Sequence, residues 1–370
     1  MNRFEKLKYY LLTLQSPSHF LLINMLLDRD ALYMNRAMEL ALHGRGKVSP
    51  NPMVGCVIVC QDKIIGEGYH QRYGEAHAEV NAINSVKNKE LLSESTLYVN
   101  LEPCSHFGKT PPCADLIIKH QIKKVIVANL DTNPLVAGKG IQKLKNAGIE
   151  VQVGMMEKAG KNLNKRFFTF MNRMRPYIIL KWAETADGYI AKENYDSKWI
   201  SNSLSRRLVH KWRSEEDAVM VGTNTAFYDN PQLNVRDWTG RNPIRIVIDR
   251  NLRLPKHLHL FDSKQPTLCY NTIQTSISPH LEYIKIKEGN FIKQVIEDLY
   301  AKRIQSVLVE GGSKLINSLL ENDLWDEIRV FRGTTCFGQG IQAPQIRGIL
   351  FEKVSIQDND LLIFRRSDEW

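Results

Sequence analysis

From residue 31 apolar side chains recur at intervals of three and four, at Ala31, Met34, Ala37, Met38 and Ala41, the period of a helix that buries one face. A loop over 44–52 carries Gly, Pro and Ser, and after it the pattern changes to unbroken apolar runs. Val54 to Cys60 reads as a buried strand, Gln61-Asp62-Lys63 as a hairpin turn, and Ile64 to Tyr69 as the returning strand. A helix is expected from about His77 to Val86, a strand over Thr96 to Leu101 and a helix from about Pro112. Lys124 to Asn129 reads as a strand, Ile141 to Ala147 as a helix, and Val151 to Val153 as a short last strand. Such alternation predicts an α/β sandwich.

The pattern starts again after Arg175-Pro176. Strands are expected over Pro176 to Ala183, Ala218 to Gly222, Pro243 to Ile248 and Ser306 to Glu310. A helix is expected over Ser203 to Trp212, and another from Gly311-Gly312 to about Glu321. No internal repeat, low-complexity stretch or long flexible linker interrupts the chain, so residue 174 marks a change of unit. The expected division is an extension over 1–28, a first domain over 29–174 and a second over 175–370. In the extension, Tyr9 to Leu14 and Phe20 to Leu27 are apolar, but Gln15 to His19 separate them. No run approaches the roughly 18 apolar residues of a membrane span, and no small-residue cleavage site follows. The expectation is a segment outside the catalytic fold, with Met25 nearer the true start.

Composition narrows the field further. At 370 residues the chain is long enough for two cores, and with 43% hydrophobic and 24% charged residues it reads as a globular protein. The net charge of +10 admits nucleic acid, a membrane surface or phosphorylated small molecules. Because Lys and Arg are dispersed, with no clustered basic face, nucleic acid and membrane are not expected, and a phosphorylated metabolite is. Six cysteines, at 56, 60, 104, 113, 269 and 336, are too sparse for a disulfide framework. They point to a reducing compartment, here taken as the cytoplasm.

The sharpest local signal is His77-Ala78-Glu79, followed by Pro103-Cys104 and Cys113. A catalytic zinc takes three protein ligands and keeps one position for water, and one imidazole with two thiolates meets that count. His77 and Glu79 are two apart and would not share a face in mid-helix; at a helix start both can reach a metal lying beyond the helix end. Glu79 is then free to carry protons. A lone Cys is ordinarily a small buried hydrophobe and a lone His-x-Glu is common, so the weight lies in the combination, each part between an expected strand and an expected helix. The spacing departs from the zinc-deaminase pattern H-x-E…P-C-x-x-C, since eight residues separate the two cysteines.

With that spacing, Glu102-Pro-Cys-Ser-His-Phe-Gly-Lys-Thr-Pro-Pro-Cys113 closely resembles the deaminase half of bacterial bifunctional riboflavin-pathway enzymes. Val48-Ser-Pro-Asn-Pro-Met-Val-Gly55 and Gly68-Tyr-His-Gln-Arg-Tyr-Gly-Glu-Ala-His-Ala-Glu79 resemble it too. The resemblance implies a cytidine-deaminase-like three-layer domain in which His77, Cys104 and Cys113 bind one zinc per chain. Glu79 would be the catalytic proton carrier and Asn51 would lie by the pyrimidine. His106 and Lys109, on the long loop between the cysteines, are expected to help hold a ribose phosphate.

The resemblance runs from about residue 29 to the C-terminus. Lys181-Trp-Ala-Glu-Thr-Ala-Asp-Gly188 resembles the opening of the reductase half, whose α/β fold is similar to dihydrofolate reductase, and Ser197-Lys-Trp-Ile200 resembles the next family element. By resemblance Ala183, Trp199, Thr225, Asp229 and Gly312 would contact NADPH. Ser197, Arg213, Leu233, Arg236 and Glu310 would contact the substrate. Residue chemistry agrees in part: the forked donors of Arg213 and Arg236 suit a ribosyl phosphate, and Gly311-Gly312 can bring backbone amides to a pyrophosphate. Taken singly, that Gly-Gly is a tight strand-to-helix connection, each Arg a solvated helix residue and Trp199 a core residue. No complete G-x-G-x-x-G occurs, so no Rossmann site is indicated. Arg250, just after Ile244 to Asp249, is the candidate reader of a 2′-phosphate.

The resemblance therefore implies deamination of 2,5-diamino-6-(5-phosphoribosylamino)pyrimidin-4-one, then NADPH-dependent reduction of the ribosyl group to ribityl. It is compatible with a homo-oligomer. The rival readings are a nucleic-acid-binding protein and a deaminase of RNA bases or free nucleosides whose second half is scaffold. The cysteine spacing and the separated motifs of the second half speak against the latter.

Overall fold

The structure, a computed structural model, describes residues 29–107, 111–133, 137–197 and 200–367. The extension over 1–28, Lys109 and Trp199 lie outside these. Two compact units are present, the first ending at Asn164 and the second beginning at Lys165. The change of unit read near residue 174 falls after this division because the helix Lys165–Arg173 is anchored in the second unit. Lys165 pairs with Glu327 and Arg166 with Glu216, both acids buried.

In the first unit, strands β1 (Gly55–Cys60), β2 (Lys63–Tyr69), β3 (Thr96–Leu101), β4 (Lys124–Asn129) and β5 (Glu150–Val153) form a sheet ordered β2-β1-β3-β4-β5. The first three are antiparallel, and β3, β4 and β5 run parallel. Gln61 and Asp62 close the hairpin with φ of 49° and 61°, the left-handed pair a two-residue turn demands. Strand β1 is buried throughout, and its residues alternate between two helical layers. Cys56 and Ile58 pack with α2 (Ala78–Ser85), α3 (Cys113–Lys119) and α4 (Lys139–Asn146). Val57 and Val59 pack with Met34, Ala37 and Met38 of α1 (Arg29–Leu42), which α5 (Glu157–Leu163) joins through Leu163. The expected three-layer sandwich is the observed one.

The second unit opens with α6 (Lys165–Arg173) and is built on one long sheet. Strands β6 (Tyr177–Glu184), β8 (Ala218–Gly222), β9 (Ile244–Ile248), β10 (Thr267–Asn271), β12 (Leu281–Lys285), β13 (Ser306–Val309) and β14 (Glu327–Arg332) are its parallel part. β11 (Ser276–Ser278), β16 (Ile349–Ile356) and β17 (Asn359–Arg365) are antiparallel, giving the order β11-β12-β10-β9-β8-β13-β6-β14-β17-β16. A separate ribbon pairs β7 (Tyr189–Ala191) with β15 (Ile341–Gln342). One face is covered by α9 (Phe291–Ala301) and α10 (Ser313–Glu321), the other by α7 (Ser203–Glu215) and α8 (Thr223–Asp229). Parallel strands covered on both faces explain the continuous apolar runs. Among the described residues no helix is long and apolar enough to cross a membrane.

Candidate active sites

Two helix starts meet at the first site. His77 is the N-cap of α2, with extended backbone and no capping bond from its side chain, so its imidazole is free for other partners. Pro112 caps α3 and makes Cys113 its first residue. A Cβ on Gly68 would stand 2.3 Å from the Ala82 backbone nitrogen, so only glycine lets α2 lie this close on β2. The His77 Nδ1 lies 3.3 Å from the Cys113 Sγ and 3.5 Å from the Cys104 Sγ, and the Cys113 backbone N–H donates to the Cys104 Sγ at 3.3 Å. All three ligand atoms fall within 4.8 Å of one another. One imidazole nitrogen and two sulfurs at this separation fit a three-ligand zinc site.

The electrostatics suit proton transfer. Glu79 is 3% exposed, and burial pushes its carboxyl up to about 7 against the opposing pull of His77. The Cys104 thiol is held well below its ordinary range, first by hydrogen bonding to Cys113 and then by His77. His77 is raised, first by its bond with Cys104. Asn51 is close by: its Nδ2 lies 3.1 Å from the Nε2 of His70, whose ring meets the His77 ring edge-on at 5.4 Å. His106 is exposed on the intervening loop.

Two residues here were quoted within motifs yet not nominated. His70 is 2% exposed, and burial lowers its pKa. Its signal was a histidine where a glycine-bearing strand ends. The buried Glu102 carboxylate accepts backbone N–H groups from Asp131, Gly138, Gly140 and Ile141 at 2.9–3.2 Å, fixing the segment around α4 beside Pro103 and Cys104. Its signal was an acid immediately before Pro-Cys.

The second site lies at the C-terminal ends of β6, β8, β9 and β13, the usual ligand edge of a parallel sheet. It is a cavity of about 1240 Å³. Small-molecule pockets typically measure roughly 300–1000 Å³, so this one is large for its kind. Every sequence-nominated residue of this half that the structure describes lines it: Ala183, Ser197, Arg213, Thr225, Asp229, Leu233, Arg236, Glu310 and Gly312. Gly311 has φ of 134°, and a Cβ there or on Gly312 would crowd the Thr225 Oγ1 at 3.3 and 3.0 Å. The two glycines therefore let the Thr225 side chain pack closely on the backbone at the start of α10, which lines the cavity and whose N–H groups suit a dinucleotide phosphate.

One geometry differs from the expectation. Arg213, expected to fork onto a phosphate, forks onto Glu310 instead, with Nε and Nη2 donating to its two carboxylate oxygens at 2.6 and 2.8 Å. Its Nη1 donates to the Asn234 carbonyl oxygen at 3.1 Å. Both side chains are buried, so the pair forms one rigid unit, and the guanidinium holds the Glu310 carboxyl below its ordinary range despite burial. Arg236, 54% exposed, is the arginine of the two that can reach an anion. Lys181, quoted but not nominated, is enclosed 3.9 Å from Glu310, and burial lowers its pKa. Arg250 also lines the cavity, its guanidinium over the Phe291 ring at 4.8 Å. Tyr195 and Tyr228 stack at the cavity wall, 4.2 Å apart and 6° from parallel.

Comparison with known proteins agrees with this layout. Residues 27–129 match the family "cytidine and deoxycytidylate deaminase zinc-binding region", and residues 176–363 match the "RibD C-terminal domain". The chain is 42% identical over 354 residues to the riboflavin biosynthesis protein RibD of Aquifex aeolicus, covering 92% of this chain and 99% of that one. To the Escherichia coli RibD it is 37% identical, covering 82% of this chain and 87% of that one. Among solved structures it is similar to a diaminohydroxyphosphoribosylaminopyrimidine deaminase/5-amino-6-(5-phosphoribosylamino)uracil reductase from Thermotoga maritima. That similarity has TM-score 0.84 and 38% identity, covering 91% of this chain and 99% of that one. An Acinetobacter baumannii RibD gives TM-score 0.84 at 36% identity, covering 92% and 100%.

Proposed function

The chain belongs to the RibD family of bifunctional riboflavin-biosynthesis enzymes, with a zinc-binding deaminase domain and a reductase domain; from that premise we propose which compounds it takes and which residues act on them. The first domain deaminates 2,5-diamino-6-(5-phosphoribosylamino)pyrimidin-4(3H)-one to 5-amino-6-(5-phosphoribosylamino)uracil. The second reduces the ribosyl group of that product to ribityl with NADPH.

The observation that carries the first half is an enclosed carboxyl, Glu79, beside a cluster of one imidazole and two thiols that fits a three-ligand metal site. His77, Cys104 and Cys113 hold one zinc per chain, which when bound supplies the Lewis acidity that makes water a nucleophile near neutral pH. Glu79 accepts a proton at its carboxylate from the attacking water and returns one to the departing amine, and its burial favours the protonated form that the second transfer needs. Asn51 binds the pyrimidine.

In the second half NADPH supplies a hydride when bound. Thr225, Asp229, Ala183 and the backbone at Gly312 line the space it takes, with Trp199 assigned by family resemblance. Arg250, braced on Phe291, reads the 2′-phosphate. Arg236 takes the ribosyl phosphate, while Glu310, fixed by Arg213, accepts hydrogen bonds from substrate hydroxyl or amino groups. Ser197 and Leu233 complete the substrate wall. The test is to give the purified protein the diaminopyrimidine ribosyl phosphate with NADPH. Ammonia release followed by loss of nicotinamide absorbance is expected; absence of either step contradicts the assignment for that half.

A further inference from the structure

We propose that His70 is a positioning residue of the deaminase site, whose ring fixes the side-chain amide of Asn51 so that its Oδ1 stands as an acceptor for the donor edge of the pyrimidine. The proposal rests on the deaminase reading above.

His70 follows directly on β2, and its backbone N–H donates to the Val54 carbonyl oxygen at 2.8 Å, which ties it to the start of β1. Its buried ring is engaged at both nitrogens. The Nδ1 lies 3.0 Å from the Ala76 carbonyl oxygen and the Nε2 lies 3.1 Å from the Asn51 Nδ2. A carbonyl oxygen only accepts, so Nδ1 carries the proton. In the neutral ring Nε2 then offers a lone pair, and only the NH₂ end of the Asn51 amide can face it. The chain of bonds therefore has one direction, from the Asn51 Nδ2–H to His70 Nε2 and from His70 Nδ1–H to Ala76.

What remains for a ligand is the Asn51 Oδ1. The Asn51 backbone is fixed as well, its N–H donating to the Val48 carbonyl oxygen at 2.8 Å. The edge-on contact of the His70 and His77 rings keeps this amide one side chain away from the zinc-ligating imidazole. A diaminopyrimidinone presents ring N–H and amino donors, which need an acceptor. A flipped amide would oppose donor to donor and forfeit the bond.

The test uses the full-length protein. His70→Phe keeps a ring and removes the acceptor. It should lower kcat/KM for ammonia release from the diaminopyrimidine ribosyl phosphate by roughly ten- to a hundredfold, mostly through KM, with zinc content equal to the parent's. His70→Gln, whose Oε1 can accept from the amide, should restore most of that loss. In an Asn51→Ala background His70→Phe should add no further loss. A zinc-loaded His70→Phe protein with the parent's KM, or losses that simply add in the double variant, would overturn the proposal. The tautomer also has a readout independent of turnover. Ring-nitrogen NMR should find His70 protonated at Nδ1 with Nε2 as a lone pair, and protonation at Nε2 instead would overturn the proposal. If the parent releases no ammonia from this compound, the substrate assignment has failed, and the NMR result alone decides for or against His70.

Discussion

Each of the two sites encloses a carboxylate, and the surroundings give the two opposite characters. Glu79 is packed among a histidine and two thiols, and burial lifts its carboxyl to about 7. Glu310 is equally enclosed but gripped by the Arg213 fork with Lys181 behind it, which holds its carboxyl below the ordinary range. One carboxyl is set up to exchange protons near neutral pH and the other to remain an acceptor. Partner, more than burial, decides the role.

The sharpest way to break this contrast is to remove each carboxylate's function in turn. Glu79→Gln should keep its zinc yet lose roughly two to four orders of magnitude in ammonia release, as for loss of a general acid–base. Metal analysis beside a deamination assay checks it, and a Glu79→Gln protein with parental ammonia release would remove Glu79 from the mechanism. Arg213→Ala should strip buried Glu310 of its two-pronged partner and leave only Lys181, 3.9 Å away, destabilising the second unit by up to about 3–5 kcal/mol. Calorimetry should register the loss while ammonia release continues at low temperature. Arg236→Ala, on an exposed side chain, should leave stability unchanged and lower kcat/KM for reduction by roughly ten- to a hundredfold. Equal stability losses in the two arginine variants would dissolve the distinction drawn between them.

A smaller and more diagnostic effect lies in pH. The folded-state pKa of Glu79 is raised from an ordinary 4.5 to about 7, so its stabilising contribution is complete below about 4.5 and is lost as pH rises toward 7. In zinc-free protein, Glu79→Gln should therefore become progressively more stabilising over that interval. Glu310 is depressed, so its contribution is complete above about 4.5 and is lost as pH falls through its folded value. Glu310→Gln should destabilise at neutral pH, and the penalty should shrink in acid. Melting temperatures of both variants against the parent, from pH 2 to 8, check the two signs. The smallest effect is expected from deleting residues 1–28, to which no motif extends: both activities and the melting temperature should stay close to the parent's.

The same contrast explains what the sequence could reveal. The three proposed zinc ligands lie on two short segments, each at a strand-to-helix junction, so residue type and spacing alone pointed to the metal chemistry. The reductase cavity draws on strand ends from Lys181 to Glu310, and no local pattern joins them; family resemblance supplied its residues. Resemblance also could not reveal that the Arg213 fork is occupied by Glu310, because pairing across 97 positions exists only in the folded chain. Of the elements passed over, α9 was legible. Phe291, Ile292, Val295, Ile296 and Leu299 repeat at helical spacing and are all buried. Strand β16 was not, since seven of its eight residues are exposed and the eighth only partly buried, so no alternation marks it. Glu102 bonds backbone groups 29 to 39 positions away, and the His70 role depends on both ring nitrogens being engaged, so neither is marked by residue type or spacing.

The two sites should work independently of each other. Cys104→Ser, which lacks a zinc ligand, tests it most directly when given 5-amino-6-(5-phosphoribosylamino)uracil and NADPH. No ammonia release from the diaminopyrimidine is expected, yet NADPH oxidation with the uracil compound should run at the parent's rate. A folded Cys104→Ser protein that cannot oxidise NADPH with that compound would contradict it.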